Sequence, residues 1–130
     1  MLSRADYRLD RMAWLIPTDL ALGWGRMSDS AVLQTLEIEQ SGRYYFWHTA
    51  GFAIPREEIE THSANMHMIP ANAAAARALG RVRTGNLVTL SGALVEVRSK
   101  AGWSIRSSLT RDDTGPGACE VVWLQALDLR

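Results

Sequence analysis

One cysteine, Cys119, in 130 residues excludes an intramolecular disulfide and any zinc cage built from several thiolates, and it leaves the redox compartment open. No strictly apolar run is longer than a few residues, against the roughly 20 that a membrane-spanning helix needs, so no span is expected. A signal-peptide core is also missing from residues 1–20, where Arg4, Arg8, Asp10 and Arg11 interrupt the apolar positions. Neither charge sign is in excess. Fourteen basic residues face fourteen acidic ones, which removes the global electrostatic case for nucleic acid or an anionic membrane as partner. No internal repeat or low-complexity linker divides the chain, so residues 1–130 read as a single β-rich domain.

What is present is an ordinary globular composition, 47% hydrophobic and 22% charged. Tyr7, Leu9, Met12 and Trp14 suit one face of an early strand. In "PTDLALGWG" a proline, an early acid and a following glycine suit a short helix, with a strand through Leu20 and Leu22 as competitor. Asp29 or Ser30 is placed to cap a helical turn at "AVLQTL". The segment "LEIEQ-SG-RYYFWHT" carries the clearest hairpin signal, with a turn at Ser41-Gly42 and aromatics suited to a pleated surface. A turn or short helix is expected at residues 56–60, followed by a loop. "NAAAARALGRV" is the strongest helix, capped by Asn72 and stopped near Gly80. Beyond it, residues 87–97 read as a long strand with a bulge or bend at Gly92. "WSIRSSLT" gives another strand, and the nearly continuous apolar run of "CEVVWLQALDL" predicts a central one.

The order of these elements predicts a mainly β (α+β) fold: a small antiparallel β-barrel, similar to the oligonucleotide/oligosaccharide-binding barrel, with one principal helix between strands three and four. A barrel variant, or an open sheet with helices on one side, is the competing architecture.

Three stretches together, "DLALGWGRMSD" at residues 19–29, "ETHSANMHMIPAN" at 60–72 and "SSLTRDDTGPGACEVVW" at 107–123, resemble a bacterial family of unknown biochemical role, often with an N-terminal membrane anchor. The resemblance implies a native chain that extends further toward the N-terminus and a domain on the extracytoplasmic side of the cell envelope. Without such an anchor a cytoplasmic location fits equally. No catalytic or ligand-binding role comes with it.

Four constellations have chemistry to offer. Cys119 is a candidate nucleophile, with His48, His62 and His67 as possible bases; the ordinary alternative is a small buried hydrophobe at the start of the last strand. His62, His67, Cys119 and Glu60 or Glu120 have metal-ligand chemistry, but the five-residue spacing of the two histidines does not suit one helical face, and neither a metal nor a cofactor is expected. Asp112 and Asp113, with Glu120 near, offer acid/base groups. Ordinary turn chemistry, with Arg111 pairing a carboxylate, accounts for them as well. "TGPG" lacks the lysine and following helix of a phosphate-binding loop. Finally, Tyr45, Trp47 and Arg43, with Arg111, suit a surface for a protein or glycan partner, and less well for single-stranded nucleic acid. The primary expectation is therefore a non-catalytic binding domain, which is open to homo-oligomerisation. A Cys119/His67 hydrolase or transferase is the alternative.

Overall fold

The structure, a computed structural model, describes residues 1–110 and 118–130. Period-two alternation decides its strands. In β2 (Thr18–Gly23) Leu20 and Leu22 face one way, and Asp19 and Ala21 the other. In β5 (Ser63–Pro70) Met66 and Met68 oppose Asn65 and His67. These two strands pair antiparallel, with Asp19 opposite His67. β9 (Glu120–Leu129) runs parallel to β5, and β6 (Val88–Leu94) runs antiparallel to β9. With β1 (Ser3–Asp6) at the far side, the sheet order is β1-β2-β5-β9-β6.

Each face of this sheet is covered by a different device. On the first, α3 (Ala73–Arg81) lays Ala75, Ala78 and Leu79 against Leu20, Met68, Val122 and Leu124. The small alanine side chains let the helix lie close, and the Asn72 side chain caps it by accepting the Ala75 N–H at 2.8 Å. On the second face lie the hairpin of β3 (Glu37–Ser41) and β4 (Tyr44–His48), the short helices α1 (Ser30–Leu33) and α2 (Arg56–Thr61), and a 3-10 turn at Gly25–Ser28. They enclose Ala21, Met27, Val32, Ile54 and Ile59. A smaller hairpin, β7 (Glu96–Arg98) with β8 (Ser104–Arg106), packs Val97 and Ile105 toward Ile16, Ile69 and Val121.

The barrel expectation is overturned. The nine strands of the described residues form three open sheets, one of five strands and two of two, and none closes on itself. Nor does a principal helix lie between strands three and four: α2 falls between β4 and β5, and the alanine-rich α3 between β5 and β6. The physical reason is β5. Its alternate polar residues, Ser63, Asn65 and His67, look like loop sequence, yet they are buried on the second face, Ser63 and Asn65 hydrogen-bonded and His67 paired with Asp19, so the segment is a central strand. "TDLALG" is likewise the strand competitor and not the helix. The bulge at Gly92 is present, where the register with β9 shifts between Ser91 and Gly92. Glycine is required there, because a Cβ would stand 2.0 Å from the Trp123 carbonyl oxygen.

Candidate functional site

The site begins with the turn of the first hairpin. Both central residues, Gly42 and Arg43, have positive φ (59° and 72°), the pattern of a type I′ turn, one residue later than the Ser41-Gly42 turn expected. A non-glycine residue at such a φ is uncommon, and here the side chain is held on every side. Arg43 forks onto Asp10, Nε to Oδ2 at 2.6 Å and Nη2 to Oδ1 at 2.8 Å, while Nη1 reaches Asp19 Oδ1 at 3.0 Å. Its guanidinium carbon lies 3.8 Å from the centre of the Tyr7 ring. Its backbone N–H donates to the Tyr7 hydroxyl at 3.2 Å, and its carbonyl accepts from Asn65 Nδ2 at 3.1 Å.

Asp19, fully buried, is the hub. Besides Arg43 it receives Asn65 Nδ2 on Oδ2 at 3.2 Å, and Gln40 holds Asn65 in turn by donating to its Oδ1 at 2.8 Å. The neighbouring strand brings His67 to it, with Nδ1 2.9 Å from Oδ1. This is a close ion pair and not an aligned hydrogen bond, since no described acceptor lies in line with the Nδ1 proton. The Cys119 side chain is also near enough to the imidazole to favour its protonated form, and it lies two residues before Val121, the β9 partner of His67. The cysteine backbone is pinned by Ser108, whose N–H donates to the Cys119 carbonyl at 3.0 Å, and the Val121 N–H donates to Ser107 Oγ at 3.0 Å.

Electrostatics follow from this packing. Burial favours a neutral imidazole, but the close polar partners Asp19 and then Cys119 outweigh it and push His67 from 6.5 up to about 9. Burial likewise opposes the charge on Arg43, and Asp10 and Asp19 overcome it. Asp10 is held below the usual carboxylate range chiefly by its hydrogen bonds from Arg43. With His67 protonated, the carboxylates of Asp10 and Asp19 are balanced by one guanidinium and one imidazolium. Asp10 stands at the exposed rim of this cluster, and Asp19, Arg43 and His67 are its buried members.

Of the sequence candidates, His67 and Cys119 are brought together, and Cys119 is partly exposed while His67 is buried. Tyr45 and Trp47 turn inward against Ile59 and its neighbours, and Arg43 is buried in the ionic cluster. The aromatic pair facing outward is Tyr44 and Phe46, 46% and 52% exposed, with ring centres 6.5 Å apart. Arg111, Asp112 and Asp113 lie outside the described residues. His62 is elsewhere, its Nδ1 beside Thr61 Oγ1 and the Glu58 carbonyl. His48 is exposed at the end of β4. Among the described residues no group of three or more His, Cys, Asp or Glu is arranged to hold a metal ion. A groove of about 430 Å³ opens on the first face, between Trp24, Met66, Leu90, Leu94 and Glu120, across the sheet from the thiol.

Asp19 was not among the candidates. Its signal was present, however: read as a strand, "TDLALG" places one carboxylate in an apolar stretch, and a buried carboxylate demands a cation. No protein-family model, curated protein or solved structure matches the chain.

Proposed function

We propose that the chain is a thiol-dependent acyl hydrolase or transferase, with Cys119 as nucleophile, His67 as proton carrier and Asp19 as the group that orients His67. One observation carries this reading: β2 and β5 set a carboxylate 2.9 Å from an imidazole, and a partly exposed thiol just before β9 lies near enough to influence that imidazole, the residue types of an orienter, base and nucleophile. In this reading Nδ1 keeps Asp19 as its ion-pair partner and the other ring nitrogen serves the sulfur. The Cys119 sulfur, its proton held by His67, bonds to the acyl carbon of the substrate. The bond to the leaving group breaks as that group takes the proton from His67. The neutral imidazole then draws a proton from water or an acceptor alcohol or amine, whose oxygen or nitrogen displaces the thiolate from the thioester.

The test is the iodoacetamide alkylation rate of Cys119 in the folded protein at pH 6, alongside turnover of activated aryl esters. His67→Gln lowers the alkylation rate at least tenfold, and Cys119→Ala abolishes ester turnover. An alkylation rate unchanged in His67→Gln, with its fold intact by circular dichroism, sinks the proposal.

A second reading, a non-catalytic binding domain for a protein or glycan partner, is favoured by the outward rings of Tyr44 and Phe46. It predicts glycan-array binding that is lost in Tyr44→Ala/Phe46→Ala while thiol reactivity is unchanged.

A further inference from the structure

The two edges of the five-stranded sheet are built differently. β1 is four residues long and carries Arg4 and Asp6, which pair with each other at 2.8 Å, while the Arg4 guanidinium also caps the Leu79 and Val82 carbonyls at the end of α3. A short, charged and tethered edge is protected against pairing with another chain. β6, at the opposite edge, is neither short, charged nor tethered, and its one irregularity is the bulge against β9 at Ser91/Gly92. It is seven residues long, and from residue 86 to 95, "NLVTLSGALV", the sequence contains no charged residue and no proline. Among the described residues no strand pairs with its outer side. Thr89, Ser91, Gly92, Ala93 and Leu94 are exposed, and large apolar side chains flank the strand at Leu87, Trp123 and Leu129.

We propose that β6 is the contact strand of a homodimer, pairing antiparallel with β6 of a second copy so that two five-stranded sheets become one of ten. The occupant follows from the strand's own chemistry. A free β edge presents a row of N–H and C=O groups, and an antiparallel copy of the same strand about a two-fold axis answers that row. The side chains then meet their own kind. Because none carries charge, self-pairing brings no like-charge repulsion, whereas a charged foreign strand finds no counter-charge on β6. The flanking leucines and tryptophan supply apolar area to bury. This surface is separate from Cys119 and His67, so it stands or falls independently of the catalytic reading.

Sedimentation velocity of the full chain between roughly 1 and 200 µM tests the proposal, with amide hydrogen exchange at both ends of that range. The expected result is a reversible dimer, with exchange slowing at high concentration within residues 88–94. Thr89→Lys/Ser91→Lys, two changes at exposed positions, raises the dimer dissociation constant at least tenfold. A chain that stays monomeric throughout, a dimer indifferent to the two lysines, or protection confined to another segment overturns it. The exchange measurement on the unmodified chain decides the matter even if the double variant fails to fold.

Discussion

At the scale of single residues, Arg43 is the most heavily tied of the described residues. Removing its guanidinium leaves Asp19 buried with its nearest full-time cation gone, the situation in which breaking a buried pair costs about 3–5 kcal/mol. Arg43→Ala is therefore expected to lower the urea midpoint steeply. Arg43→Lys should recover little, because an ammonium cannot fork onto Asp10 and also reach Asp19. Equal stability of Arg43→Ala and the unmodified chain contradicts the network. Part of this cluster was readable residue by residue: Cys119 was a candidate nucleophile with His48, His62 and His67 as possible bases, and of the three it is His67 that Cys119 influences. Asp19 and Arg43 were harder, for opposite reasons. Asp19 follows a proline that suggests a helix, and Arg43 sits among aromatics that suggest a surface. Both are explained only by burial against each other, a contact spanning 24 residues that no local pattern encodes.

At the scale of elements, sequence patterns served best where a strand or helix is stabilised by its own composition. The alanine-rich α3 with its Asn72 cap, the aromatic hairpin and the apolar β9 all obey local rules. β5 does not, because the polar residues that assemble the site occupy every second position of a central strand. Propensity reads those residues as a loop. Tertiary hydrogen bonds make them a strand. The bulge between β6 and β9 offers the test for this level. Gly92→Ala drives a methyl into the Trp123 carbonyl, backbone that can yield only by shifting both strands, so a loss of roughly 1–3 kcal/mol is expected in chemical denaturation. Gly51→Ala, where a Cβ meets nothing within 4 Å, is the control and should change stability far less.

At the scale of the whole molecule, the ionic cluster shapes stability against pH. His67 binds its proton more tightly when folded, so its contribution is fully present below its ordinary value of 6.5 and is lost as pH rises through about 9. A shift of that size corresponds to about 3 kcal/mol. Asp10 and Asp6 act in the opposite direction. Both are held low by arginine partners, Arg43 and Arg4, so their contribution is present above the ordinary carboxylate range and fades as pH falls through their depressed values. Stability should therefore peak between roughly pH 5 and 6.5 and decline on both sides. Thermal melts from pH 3 to 10 measure it. In His67→Gln the alkaline decline between 6.5 and 9 should flatten while the acid limb remains, and an unchanged alkaline limb contradicts the assignment.

β5 carries a further consequence. Its even-numbered side chains, Met66 and Met68, belong to the apolar layer beneath α3, and its odd-numbered ones, Asn65 and His67, belong to the ionic layer under the first hairpin. A slip of one residue exchanges the two sets, sending methionines to Asp19 and polar groups into the apolar layer. No folded variant can keep the core while misplacing the histidine along this strand. The register is thus proofread by folding itself: a population of native molecules is a population with His67 beside Asp19 and the methionines beneath α3.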